Sequence, residues 1–175
     1  MSDLAATDTV GLAVVGEGTA AAADLSVVRP RPRASLYADP LSWLVLDAVE
    51  RAAESYGGEL RSAPEGVGHI VVSDQCTAHT MRDIAAEVAR GRVSPLRFSG
   101  ANPGSVLSLT SQLLGFSGPS MTLSMRPERG LVFALALTRL WLHTSSATHV
   151  LVTSHRSDAP GHRVTSSILM AVSPQ

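Results

Sequence analysis

Apolar residues in this chain recur with two different spacings, and each predicts a different kind of element. Short continuous runs bounded by turn residues read as buried strands: Val10–Val15, His69–Ser73, Ser120–Ser124, Thr148–Ser154 and Ser166–Val172. Helical spacing appears in Leu41, Leu44, Val45, Ala48, Val49, Ala52 and Ala53, with Asp39 as cap, Pro40 as the first helical residue and Gly57-Gly58 as the stop. Further helices are predicted over Thr77–Arg90, ending at Gly91, over Ser105–Leu114, ending at Gly115, and over Pro127–His143. Pro30, Pro32 and Pro40 make Asp24–Pro40 an extended connection. A loop is expected around Pro95, and another over the polar stretch His155–Arg163. The resulting order, βαβαβαββ, is that of an α/β domain with a mostly parallel sheet and helices on both faces.

The helix from Pro127 stands apart from the others. Leu131, Val132, Phe133, Ala134, Leu135, Ala136, Leu137, Leu140, Trp141 and Leu142 place apolar groups nearly all round it. That pattern predicts a helix buried on every side, by loops of the same chain or by a second body.

Composition narrows the class. The chain's 175 residues make one domain, long enough for a proper core, and 45% hydrophobic with 17% charged excludes a disordered chain. An aromatic content of 4% leaves no base-stacking platform, and a net charge of −1 leaves no footprint for nucleic acid or an anionic membrane. One cysteine, Cys76, excludes an internal disulfide and fits a reducing compartment. The first residues lack the basic stretch and apolar run of a signal peptide, and the longest apolar run is too short to span a bilayer. A cytoplasmic location is expected.

Three small constellations suggest chemistry, and each has an ordinary explanation. Gly16-Glu17-Gly18-Thr19-Ala20-Ala21 mimics a dinucleotide fingerprint, but the helix that must open from its glycines has no room before the proline-rich segment. Cys76 and His79 have the spacing of one metal-ligand pair, whereas zinc needs three or four ligands; a partly buried thiol beside a loop histidine is the simpler reading. Ser154, His155 and Asp158 suggest a triad, yet neighbours on a strand point to opposite faces, and no G-x-S-x-G elbow exists in the chain.

The segment Ser94–Thr122, SPLRFSGANPGSVLSLTSQLLGFSGPSMT, carries the most specific signal. Pro95, Phe98, Ser99, Asn102, Gly115, Gly118, Pro119 and Thr122 follow in order a P-x-x-F-[SP]…N…G-x-x-GP-[SN]-x-T run. In this the chain resembles the β-ketoacyl synthases, condensing enzymes of the thiolase fold, whose run leads into a D-T-A-C-S-S turn bearing the nucleophile. Here Ser124-Met125-Arg126-Pro127-Glu128-Arg129-Gly130-Leu131 occupies the place of that turn, and Pro127 falls where the family has its cysteine.

The resemblance implies a single β-ketoacyl synthase N-terminal-like domain over residues 1–175, one half of the pseudo-twofold thiolase fold. It is specific over Pro95–Leu131 and topological elsewhere. Proline brings neither thiol nor N–H, so the implied catalytic set is empty, while a helix accepts proline readily in its first turn. The family's histidine pair and lysine come from the other half of the fold. The expected function is therefore a non-catalytic accessory or structural subunit in polyketide or fatty-acid biosynthesis, similar to chain-length factors, with no cofactor and no metal. Expected partners are a second copy or a ketosynthase-like protein, and an acyl carrier protein. The alternative is an enzyme that reuses the scaffold on carrier-bound acyl chains, with Cys76 and the histidines as nucleophile or acid–base groups.

Overall fold

A computed structural model describes residues 9–31, 37–58, 60–92, 94–158 and 161–172. The elements are β1 (Leu12–Ala22), α1 (Pro40–Tyr56), β2 (Val67–Val72), α2 (Ala78–Val88), α3 (Pro95–Ser99), α4 (Ser105–Leu114), β3 (Ser120–Leu123), α5 (Pro127–His143), β4 (His149–Asp158) and β5 (Gly161–Ala171). Short 3-10 turns lie at Leu25–Val27, Leu60–Ser62 and Pro64–Gly66. Most of the expected elements are present. The Pro95 segment, expected as a loop, is a short helix; residues 32–36 of the extended connection lie outside the described residues.

All five strands form one sheet in the order β1-β5-β4-β2-β3. β2 runs parallel to both β3 and β4, while β4 and β1 each pair antiparallel with β5. The parallel part needs crossover helices, and α2–α4 and α5 supply them. The antiparallel part overturns the expected His155–Arg163 loop over residues 155–158 and 161–163; residues 159 and 160 lie outside the described residues. Those polar residues pair across a hairpin, with His155 opposite Val164 and Ser157 opposite His162. Polar residues on the inner face of a strand end can be buried when they bond to each other, as His155 and His162 do, which composition alone does not reveal.

Alternate residues of each strand enter two cores. Val67, Val71, Leu151, Val164 and Ile168 pack with α1 and α4, including Leu41, Trp43, Val45 and Val49. Ile70, Val72, Val150, Val152 and Leu169 pack on the other side under Leu131, Ala134 and Leu135 of α5. Helices thus lie on both faces, but unequally, because α5 alone serves the second. Five strands about 4.8 Å apart span roughly 20 Å between the outer axes, and one helix is about 10 Å across.

α5 therefore departs from the expectation of burial all round. Pro127, Gly130, Leu131, Ala134, Leu135 and Thr138 face the sheet, whereas Val132, Phe133 and Leu140 are more than half exposed. No described residue covers that outer stripe.

The fingerprint-like glycines also have a different role from a turn. β1 continues through them, with a shift of register between Val14 and Gly16, and they lie against α1. A Cβ on Gly18 would stand 2.3 Å from the Ala48 carbonyl oxygen and from the Ala52 nitrogen, and one on Gly16 would stand 2.7 Å from the Ala52 oxygen. Glycine here permits close approach of helix and strand.

Asp39 caps α1 as expected, its Oδ1 accepting from the Leu41 N–H at 2.9 Å. Its Oδ2 accepts from the Thr80 N–H at 2.9 Å as well, so one buried carboxylate joins the first turns of α1 and α2. An anion between two positive helix ends is favourably placed.

Candidate functional site at the ends of the parallel strands

β2 and β3 end at Val72 and Leu123, so Ser73 and Ser124 are the first residues beyond them, and His155 of β4 lies alongside Ser73. Open α/β sheets place ligands beyond these carboxyl ends, where loops and helix N-termini converge. Here the convergence is a buried, hydrogen-bonded cluster.

Ser73 is its centre. The N–H groups of Gln75 and Cys76 donate to Ser73 Oγ at 3.1 and 3.0 Å. With both lone pairs engaged, the hydroxyl hydrogen goes to His155 Nδ1, 2.8 Å away. This leaves the His155 proton on Nε2, which donates to His162 Nδ1 at 3.0 Å, and the two rings stack 9° from parallel. Burial, reinforced by His162, pushes the His155 pKa down to about 4, so the ring is neutral near pH 7. His69 lies on the same sheet face, bonded to Thr153, which bonds in turn to Ser166. Burial alone takes His69 down to about 4.

Cys76 sits in the turn from β2 to α2 with φ of 43°, a left-handed conformation rare for a residue with a side chain. Its thiol donates to the Ser73 carbonyl oxygen at 3.1 Å and lies 3.5 Å from Ser124 Oγ. Burial pushes the thiol pKa up. A buried, protonated, donating thiol is a poor nucleophile.

Pro127 is the first residue of α5, buried, with Arg126 as an N-cap whose side chain makes no capping bond. Gly130 lets this turn settle on the sheet, since a Cβ there would come within 2.3 Å of Val72 Cγ1. Around the turn, Arg126 pairs with Asp74 at 3.4 Å and Glu128 pairs with Arg156.

The other constellations fare differently. The Cys76 thiol faces Ser73 and Ser124, while His79, in the first turn of α2 and not in a loop, has Asp83 as its partner at 3.7 Å. Among the described residues no group of three or more His, Cys, Asp or Glu could hold a metal. Ser154 and His155 are both buried and face opposite sides of β4, as strand alternation requires; the Asp158 side chain lies outside the described residues. The sequence does not single out Ser73 as a site residue, nor does it pair His162 with His155. The turn signal after HIVVS could have suggested Ser73, but His162 meets His155 only through the β4–β5 register.

The mixed sheet, two-sided helix packing and element order are those of a ketosynthase-like half of the thiolase fold. The ishigamide ketosynthase/chain length factor superposes with a TM-score of 0.73 at 15% identity, covering 93% of this chain and 62% of the other. A ketosynthase from module 1 of the bacillaene synthase of Bacillus amyloliquefaciens FZB42 matches with a TM-score of 0.68 at 13% identity, covering 93% and 42%. A ketosynthase in complex with its chain length factor from Xenorhabdus doucetiae gives 0.61 at 13%, covering 93% and 80%. The chain thus spans less than two thirds of the length of the first two. No protein-family model matches the sequence, and no curated protein does. No helix among the described residues is long and apolar enough to cross a membrane.

Proposed function

We propose that this chain is a single ketosynthase N-terminal-like domain acting as a non-catalytic subunit in polyketide or fatty-acid biosynthesis. The observation that carries this reading is Pro127 at the first position of α5. Where the sequence resemblance expects a thiol at a helix N-terminus, there is a side chain that can neither attack nor donate. Cys76 does not replace it, because its thiol is buried and its pKa is raised. The Ser73–His155 pair is likewise sealed within the sheet.

The subunit works through assembly. Solved structures with this fold include a ketosynthase with its chain length factor and a ketosynthase bound by an acyl carrier protein, which supports a ketosynthase-like partner and a carrier protein in the same complex. The reading requires no cofactor and no metal, and the expected setting is the cytoplasm.

The test is covalent loading. Incubation with a radiolabelled acyl donor on a carrier protein, followed by intact-mass measurement, is expected to leave the chain unmodified. An acyl adduct on any residue refutes the reading. Pro127→Cys is expected to gain no condensing activity, since the resemblance draws the family's histidine pair from the other half of the fold.

A further inference from the structure

We propose that the cavity between the C-terminal ends of α1 and α4 binds an organic monocation, a primary ammonium carried on an apolar chain. The cavity lies on the α1 side of the sheet, opposite α5. It is therefore separate from the outer stripe of α5, which is the face the other half of the fold covers in the family. The inference does not depend on whether the chain is catalytic.

Three segments build the cavity. Ala53 and Glu54 come from the last turn of α1, which ends at Gly57 in the left-handed conformation with φ of 63°. Gly58, Leu60 and Ser62 follow in the turns after that helix. Leu114 and Phe116 flank Gly115, the left-handed stop of α4. The Ser117 N–H donates to the Pro64 carbonyl oxygen at 3.1 Å and ties the second segment to the third.

The space measures about 690 Å³, within the range of sites for small organic ligands. Its floor is apolar. Leu60, Leu114 and Phe116 line it and belong to the core, so packing fixes their positions before any ligand arrives. An apolar chain gains by leaving water for such a floor.

The rim is acidic, with Glu50 and Glu54 on it. Glu50 shares Arg31 with Asp47, and that group of three keeps one negative charge. The Glu54 carboxylate has no partner among the described residues. Glu59 and Arg61, the next ionisable residues in the sequence, carry opposite charges and cancel. The end of α4 adds to the field. Gly115 N–H closes the Ser111 carbonyl, but among the described residues no backbone N–H closes those of Gln112, Leu113 and Leu114. A helix end left in this way is partly negative. An ammonium on an apolar chain matches both rim and floor, whereas a carboxylate on the same chain meets like charge.

The experiment is a titration of the isotope-labelled intact chain with octylammonium, octanol and octanoate, followed by amide NMR and calorimetry. Octylammonium is expected to bind saturably and to shift the amides of Ala53, Glu54, Leu60 and Phe116. Octanol should bind more weakly and octanoate not at all. Glu54→Gln should weaken octylammonium about fivefold, the upper end for a solvent-exposed ion pair. Glu54→Lys should abolish binding with unchanged circular dichroism, because position 54 is exposed. Absence of saturable binding overturns the proposal. So does octylammonium affinity that survives Glu54→Lys, or equal binding of octanol or octanoate, since apolar contact alone then holds the ligand. Shifts confined to Val132, Phe133 and Leu140 overturn it too, by placing the ligand on α5.

Discussion

The Ser73 hydroxyl stands 2.8 Å from His155 Nδ1, donating to it, so a serine beyond β2 fixes the tautomer of a buried histidine in β4. The strands are hydrogen-bonded neighbours, with Val72 paired to Ser154. This one contact links the turn that carries Cys76 to the hairpin that carries His162.

Acid should destabilise the fold before its carboxylates titrate. His155 and His69 have folded pKa values pushed down to about 4 by burial, against about 6.5 in an unfolded chain. As pH falls from 6.5 to 4, the unfolded chain takes up protons that the native one refuses. Stability contributed by the neutral rings is therefore whole above pH 6.5 and is lost on the way down to 4. The loss is roughly 3 kcal/mol per ring. Urea unfolding at pH 7.5, 5.5 and 4.5 should show a steady fall in stability; a flat profile would show that both rings are protonated or solvated in the native state.

Gly18→Ala should destabilise by at least about 2 kcal/mol, because its Cβ meets α1 backbone that cannot move aside. NAD should leave the wild-type melting temperature unchanged. A ligand that bound the native state would raise it, so a rise would reinstate the dinucleotide reading.

Asp39→Ala removes the acceptor for both Leu41 and Thr80 N–H groups. The expected loss is about 2–4 kcal/mol, more than a single cap is worth. Asp39→Asn keeps one acceptor oxygen and should fall between. Equal stability of all three in thermal melts would mean that water satisfies these groups equally well.

Leu135→Asp and Phe133→Asp should part company. Leu135 is 1% exposed against the sheet, and an unpaired carboxylate there costs several kcal/mol, out of a total stability of about 5–15 kcal/mol. Phe133 points outward, so the same change should leave a folded, soluble protein. Circular dichroism and expression yield decide the matter; two unfolded variants would mean that α5 is covered on both sides.

Local chemistry determined most of the elements by itself. Asp39-Pro40 and Gly57 delimit α1, Gly115 ends α4, and Pro127 opens α5, because caps and fixed φ angles act within a few residues of chain. The run from Pro95 to Thr122 was also enough to suggest the fold. Tertiary structure alone decided what pairs with what. β1 runs through its glycines only because α1 lies on them, and residues 155–158 and 161–163 are strand only because they pair with each other. The Ser73–His155–His162 chain joins residues from three separate segments, and no periodicity encodes such a meeting. Nor could apolar residues all round α5 say which side is covered: periodicity reports which residues avoid water, whereas the body that excludes the water is set by distant parts of the fold or by another molecule.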